Sequence, residues 1–95
     1  SPARTINGVN MIPARCIFEQ LGASVAYDNG IVDIKGDGYN YRLTIGSADA
    51  FFDEKAVQLS TVPVAIDGVL YVNPLDFPVF IISFDKTSIK RTFSQ

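Results

Sequence analysis

Apolar and polar residues alternate along several short segments of the chain, which is the pattern of a strand with one buried and one wet face. The clearest alternation runs from Tyr39 to Ile45, and a weaker one runs from Lys55 to Leu59. Because Asn-Gly and Asp-Gly pairs tolerate the positive φ of tight hairpins, their spacing predicts an antiparallel meander. The turn signals are Asn7-Gly8, Asp28-Asn29-Gly30, Gly36-Asp37-Gly38, Gly46-Ser47, Asp53-Glu54, Asp67-Gly68 and Asp85-Lys86.

The segment from Pro13 to Leu21 has helical periodicity instead. Proline is tolerated in a first helical turn, and Gly22 suits the left-handed position that follows a helix. Arg15 and Glu19 lie on the wetter side. The apolar face consists of Ala14, Ile17, Phe18 and Leu21. We expect it to meet the strand residues Val25, Val32, Ile34, Tyr41, Leu43, Val57, Leu59, Ile66 and Val72.

The chain also repeats itself imperfectly, in residues 6–35 and again in residues 66–93. Each copy starts with an Asn-Gly or Asp-Gly turn and a short strand, followed by a proline. In the second copy Pro78 falls where the first copy has its helix, and a proline inside a helix costs about 3 kcal/mol. We therefore predict no more than one capped turn over residues 73–77 and a return to strand over residues 79–84.

The composition is that of one small folded domain. Ninety-five residues suffice for a single hydrophobic core, and 47% of them are apolar. Eight Lys and Arg against ten Asp and Glu give a net charge of −2, so no basic excess favours nucleic acid as a partner. The longest apolar stretch, Phe77–Phe84, is far shorter than the roughly 18–20 residues of a membrane-spanning helix.

Histidine is absent from the sequence and cysteine occurs once. The absence of histidine removes Ser-His and Cys-His nucleophile pairs as well as His-ligated zinc and copper. Cys16 lacks a second cysteine for an intrachain disulfide and a histidine to hold it as the thiolate. Since free cysteine is commonly buried, we expect Cys16 to pack against the core rather than to react.

Several acidic residues lie in or near the predicted turns: Asp33, Asp37, Asp49, Asp53, Glu54 and Asp67. Oxygen-rich turns hold calcium in many proteins, but these residues lack the twelve-residue spacing of an EF-hand loop. The ordinary role of aspartate in turns explains them, and we predict no metal site. Two acids placed for glycoside cleavage would need a cleft, which a domain of this size rarely has.

Phe51 and Phe52 form the most informative aromatic pair. Adjacent residues of a strand point to opposite faces, so one of the two rings turns away from the core. In one interpretation that ring joins Tyr71 or Phe80 in an exposed apolar surface for a partner. In the other interpretation the rings form a second layer of core.

Two other groups are assigned to structure rather than to binding. Tyr39 and Tyr41 are candidates for stacking on sugar rings, but apolar residues continue the same strand face, so we expect both in the core. A mild basic cluster near the C-terminus is interpreted as a solvated strand edge, with attraction to anionic wall polymers as the weaker alternative. It consists of Lys86, Lys90 and Arg91.

The order and spacing of these motifs cover residues 6 to about 85. The motif residues are Asn7-Gly8, Ile12-Pro13-Ala14-Arg15, Glu19, Leu21-Gly22-Ala23, Tyr27-Asp28, Leu43-Thr44-Ile45-Gly46-Ser47, Val62-Pro63, Ile66-Asp67-Gly68 and Val72-Asn73-Pro74-Leu75. In this arrangement the chain resembles the copper amine oxidase N-terminal-like, or stalk, domain of bacterial extracellular proteins.

The resemblance implies an α+β fold in which a curled antiparallel β-sheet of about five or more strands is wrapped around a single α-helix. It implies one stalk-like domain over residues 1–95. It also implies a non-catalytic module without a cofactor, because the copper and quinone chemistry of these oxidases belongs to a separate catalytic domain with histidine ligands. Similar modules in Gram-positive bacteria accompany cell-wall hydrolases and surface-layer proteins, which implies an extracellular location at the cell surface.

Three classes of function follow as hypotheses. The first is a stalk, spacer or attachment domain of a larger secreted or cell-wall-associated protein, with neighbouring domains or a cell-wall polymer as partner. The second is a carbohydrate- or peptidoglycan-binding module that uses exposed aromatic residues. The third is an enzyme that works with acids alone, which we do not expect. A homodimer through an exposed sheet edge or through the abbreviated C-terminal repeat is a further hypothesis about partners.

Overall fold

The computed structural model of the protein describes residues 3–81. Over this range nine strands form two antiparallel sheets, one of them a curled half-barrel, and a short helix joins them. The strands are β1 (Arg4–Ile6), β2 (Val9–Pro13), β3 (Ser24–Asp28), β4 (Ile31–Gly36), β5 (Tyr39–Thr44), β6 (Asp49–Phe52), β7 (Lys55–Gln58), β8 (Val64–Ile66) and β9 (Val69–Val72). Helix α1 spans Ala14–Gln20, and a 3₁₀ turn spans Pro74–Asp76.

The strand order is β1-β2-β9-β8 in the first sheet and β3-β4-β5-β6-β7 in the second. The second sheet is the meander that the turn spacing predicts, and every predicted turn up to residue 68 joins two strands. Its turns need positive φ, which Asn29 (51°) and Gly30 (77°) adopt. The predicted turn at residues 85–86 and the basic cluster at residues 86–91 lie outside the described residues.

The two copies of the repeat begin as matching hairpins in the first sheet. The turn of the first copy has φ angles of 50° at Asn7 and 80° at Gly8, and that of the second has 51° at Asp67 and 77° at Gly68. The hairpins pair side by side through β2 and β9, where Ile12 lies opposite Val72. The end of the second copy lies beyond residue 81.

Helix α1 is shorter than predicted and buries a narrower face. Pro13 is its N-cap and the last residue of β2, and the helix ends before Leu21, after which Gly22 takes a φ of 87°. Ala14 and Phe18 are buried, but Ile17 is half-buried and Leu21 is 43% exposed. Of the four residues predicted to form the buried apolar face, two are therefore fully buried.

The structure does not show a sheet wrapped around the helix. Helix α1 contacts β2 and β9 of the first sheet and β3 of the second, so it lies at the junction of the two sheets. Most strand residues predicted for the core are buried, namely Val25, Val32, Ile34, Tyr41, Leu43, Leu59 and Val72. Val57 and Ile66 are half-buried.

An aromatic cluster lies between the helix and the second sheet. One of its central rings is Phe77, which is fully buried and lies 5.6 Å from Phe18, 5.4 Å from Tyr41 and 5.5 Å from Phe52 between ring centroids. The members of this aromatic cluster are Phe18, Tyr39, Tyr41, Phe52, Phe77 and Phe80. The prediction of core tyrosines at 39 and 41 is confirmed, since Tyr41 is buried and Tyr39 is half-buried against the core.

The prediction of a strand after the 3₁₀ turn is wrong for the described residues 79–81. Residues 78–81 are helical, and Pro78 is the first of them. Proline is tolerated there because the first helical N–H groups have no intrahelical partner. The predicted single capped turn over residues 73–77 is confirmed, with the Asn73 side chain accepting the N–H of Leu75 at 3.1 Å. Residues 82–84 lie outside the described part.

A polar network fixes this turn to the loop that follows β7. Asp76 accepts the backbone N–H of Ser60 at 3.1 Å and that of Thr61 at 3.2 Å, and the Asn73 amide donates to the Thr61 hydroxyl at 3.0 Å. These bonds give hydrogen-bond partners to Asn73, a buried polar residue of the core region.

In the range 3–81 no helix has the length and apolar character that crossing a bilayer requires.

Candidate functional site

The rings of Phe51 and Phe52 lie on opposite sides of β6. Phe51 points away from the core and leaves 47% of its surface exposed. Phe52 is half-buried in the aromatic cluster, with its ring 4.5 Å from that of Tyr41. The alternation of side chains along a strand predicts one outward ring, and the structure shows that it is Phe51.

Tyr71 and Phe80 do not extend Phe51 into a larger exposed patch. Tyr71 is only 3% exposed, because β9 is paired on both sides and lies against helix α1. Phe80 is half-buried, and its ring lies 5.0 Å from that of Phe18. Of the four aromatic residues considered for a partner surface, the exposed one is Phe51.

Strand register places an ion pair beside the Phe51 ring. Asp33 on β4 lies opposite Arg42 on β5, and Arg42 lies opposite Phe51 on β6. Arg42 Nε donates to one Asp33 oxygen at 2.8 Å, and a second guanidinium nitrogen donates to the other oxygen at 3.5 Å. The hydrogen bond and the charge of Asp33 raise the pKa of Arg42 further above its usual range. This two-point contact fixes the plane of the guanidinium.

These groups line a cavity of about 270 Å³ on the outer side of the second sheet. Its remaining walls come from Asn40, two residues before Arg42 on the same strand face, and from Glu54 in the β6–β7 turn. We call this surface the Phe51 face. It consists of Asp33, Asn40, Arg42, Phe51 and Glu54.

A larger cleft of about 580 Å³ lies beside helix α1, between β3 and the β8–β9 turn. Arg15 lines it, but its guanidinium donates to the carbonyl of Val25 at 3.2 Å and lies 4.7 Å from the Tyr27 ring centre. Burial raises the pKa of Tyr27, and the positive charge of Arg15 offsets part of that rise. The Tyr27 ring of this cleft thus already has the Arg15 cation as a partner within the protein. The Phe51 ring is 47% exposed, and we therefore take the smaller Phe51 face as the candidate site.

Cys16 lines the same cleft, and the prediction that it packs into the core is wrong. Cys16 is exposed, and the amide nitrogen of Gln20 lies 3.6 Å from its sulfur. The reason is helical geometry, because Ala14 and Phe18 define the buried side and residue 16 lies between them on the opposite side. Among the described residues, no group of three His, Cys, Asp or Glu side chains is placed to hold a metal ion.

The sequence does not single out Asn40 and Arg42 as site residues, and it indicates Glu54 only as a turn residue or a possible metal ligand. The alternation over residues 39–45 does place Asn40 and Arg42 on the wet face of their strand. The alternation does not predict that Arg42 lies beside Phe51. That placement is set by the register of β5 with β6, which depends on the length of the turn between them.

No curated protein matches the sequence. A family described as the copper amine oxidase N-terminal domain matches residues 1–82, which is most of the chain. The chain therefore belongs to the copper amine oxidase N-terminal domain family.

Proposed function

We propose that the chain is a non-catalytic accessory module, a stalk or attachment domain, of a larger secreted or cell-wall-associated bacterial protein. The family match over residues 1–82 is the observation that supports this proposal, because an N-terminal domain of this family is consistent with an accessory role. Its partners are neighbouring domains of the same protein or a polymer of the cell wall.

The use of polar groups in the structure is in keeping with an accessory role. Asp76 and Asn73 hold a loop, Asp33 pairs with Arg42, and Asp53 accepts the N–H of Asn40 at 2.9 Å. These hydrogen bonds stabilise turns and strands. The carboxylates of Asp33, Asp53 and Asp76 are therefore engaged in structural bonds and are not free to act as a general acid and a general base.

A second candidate function, binding of carbohydrate or peptidoglycan, is favoured by the exposure of Phe51. An aromatic ring left 47% exposed on a five-stranded sheet is a platform for a ligand with an apolar face. In this version the module attaches its parent protein to the wall instead of only separating neighbouring domains.

An antibody raised against the purified chain tests the accessory role in the source cells. We expect it to detect a protein much larger than 10.4 kDa in the cell-surface or secreted fraction, and protease added to intact cells to remove the signal. A cytoplasmic protease marker checks that the cells stay intact. A mature species of about the mass of the chain itself, or one protected inside the cell, contradicts the proposal.

A further inference from the structure

The Phe51 face combines a flat apolar surface with fixed polar groups. Phe51 supplies the exposed ring, and Arg42 lies next to it across the strand pair with its guanidinium held by Asp33 at 2.8 Å. Side chains directly opposite each other on neighbouring strands have Cβ atoms about 4.5–5.5 Å apart. The ring and the polar groups are therefore within reach of one ligand of the size of a sugar ring.

The polar groups supply both donors and acceptors. The guanidinium of Arg42 donates, the carboxylates of Asp33 and Glu54 accept, and the side-chain amide of Asn40 does both. A saccharide has the matching chemistry, since its C–H face packs on an aromatic ring and its hydroxyl groups both donate and accept. A purely apolar ligand would leave these polar groups without partners at a cost.

The charge of the face selects among saccharides. Two carboxylates against one guanidinium give the five lining residues a net charge of −1, and the guanidinium is already paired with Asp33. A polyanion such as a teichoic acid or a polyuronate would meet the carboxylate of Glu54, which has no ion-pair partner among residues 3–81, and be repelled. The face is thus complementary to a neutral glycan.

Glu54 has a backbone conformation that glycine has at the equivalent position of three other turns in this chain. The second residue of the β1–β2, β3–β4 and β8–β9 turns is glycine with φ between 77° and 80°, whereas the β6–β7 turn has Glu54 at 70°. A non-glycine residue in this region costs of the order of 1–3 kcal/mol. The side chain that this position displays is one of those that line the cavity.

From these observations we infer that the Phe51 face binds a neutral glycan, with one sugar ring stacked on Phe51 and its hydroxyls bonded to Arg42, Asn40 and Glu54. This inference rests on the proposed attachment role and names the ligand class for it. No bond is made or broken in the glycan.

Titration calorimetry with the full 95-residue chain and soluble oligosaccharides tests the inference. The probes are a neutral tetrasaccharide of N-acetylglucosamine, a neutral tetrasaccharide of glucose, and an oligogalacturonate as the anionic comparison. We expect saturable binding of at least one neutral probe and none of the anionic probe. Phe51→Ala should weaken that binding at least about tenfold, whereas Phe51→Tyr, which keeps the ring, should preserve it.

Leu75→Ala is the matched control, because Leu75 is 75% exposed in the 3₁₀ turn and outside the Phe51 face. Circular dichroism of each variant checks the fold. The inference is overturned if no neutral probe binds, if the anionic probe binds more tightly, or if Phe51→Ala and Leu75→Ala bind alike. Surface location of the parent protein without any neutral-probe binding overturns the inference alone, while an intracellular location overturns the proposed function.

Discussion

The hydroxyl of Tyr41 accepts a hydrogen bond from the backbone N–H of Val79, 38 residues later in the chain, at 3.2 Å. The N–H belongs to the helical turn at residues 78–81, and the first N–H groups of a helix have no intrahelical partner. The ring of Tyr41 packs against Phe77, which precedes that turn. Tyr41 therefore holds the end of the described chain against the middle strand of the second sheet.

Replacing Tyr41 by phenylalanine should lower the free energy of unfolding by about 1 kcal/mol, since it removes one hydrogen bond and keeps the ring. Amide hydrogen exchange at Val79 should speed up. The matched control is Tyr39→Phe, because the Tyr39 hydroxyl is buried and has no hydrogen-bond partner among residues 3–81. We expect that variant to be as stable as the wild type or more so. Equal losses in the two variants would contradict the role of the Tyr41–Val79 bond.

The same two tyrosines predict how stability changes at alkaline pH. Burial raises the pKa of both Tyr39 and Tyr41, and for Tyr41 the bond from Val79 offsets part of the rise. In the unfolded chain these hydroxyls ionise near their ordinary pKa of 10.0. Above that pH the unfolded chain loses protons that the folded chain keeps, so their contribution is complete below pH 10.0 and is lost as the pH rises through the folded pKa values.

Urea unfolding from about pH 9 to about pH 11 measures this effect. We expect the free energy of unfolding of the wild type to fall over that range and to fall less in the Tyr39→Phe, Tyr41→Phe double variant. Absorbance of the tyrosinate form should show that the two groups titrate above free tyrosine. The same slope in both proteins would show that these tyrosines do not cause the loss.

Gly36 is required by the position of the Tyr39 ring. The two residues are register partners at the end of the β4–β5 hairpin, and a methyl group built on Gly36 overlaps the far side of that ring. The ring has little room to move, because it lies 4.9 Å from the Tyr41 ring and 6.4 Å from the Phe18 ring. Gly36→Ala should therefore cost about 1–3 kcal/mol of stability.

A double-mutant cycle with Tyr39→Ala checks this explanation by chemical denaturation. In the Tyr39→Ala background the Gly36→Ala substitution should cost much less, because the overlapping ring is gone. Costs that simply add would mean that Gly36 is needed for another reason.

The features that the sequence predicts well in this protein are local ones. The hairpin turns at Asn7-Gly8 and Asp67-Gly68 were predictable because two adjacent residues determine their φ angles. The outward orientation of one ring of the Phe51-Phe52 pair was predictable because strand side chains alternate. Which ring it is depends on the pairing of β6 with β5, and so it does not follow from the pair alone.

The features that the sequence does not predict depend on contacts between distant residues. Phe77 became the centre of the core because Phe18, Tyr41 and Phe52 reach it from three different elements. The structure around Pro78 could not be predicted from the residue type alone. Proline breaks a helix at an interior position but is tolerated at the first helical position. Helix α1 lies at the junction of the two sheets, where Ala14 and Phe18 are buried and Leu21 and Cys16 are exposed.

Glu54→Gly should separate stability from binding. Glycine adopts a φ of 70° without the Cβ penalty but loses more backbone entropy on folding. Because the two effects partly cancel, we expect the variant to be about 0.5–1 kcal/mol more stable by thermal or urea unfolding. Its affinity for the neutral oligosaccharide should fall, because the carboxylate is lost. Glu54→Lys is the control, since it keeps the backbone cost and should weaken binding without raising stability. A Glu54→Gly variant that is less stable, or that binds as tightly as the wild type, would contradict the role given to this side chain.

Attachment of a larger protein through the Phe51 face is tested most directly by sedimentation of the purified chain with insoluble bacterial cell wall from which teichoic acid has been removed. We predict that the wild type and Leu75→Ala sediment with the wall and saturate at the same level, and that Phe51→Ala stays in the supernatant. A wild-type chain that stays in the supernatant, or a Phe51→Ala chain that sediments as the wild type does, would contradict the claim.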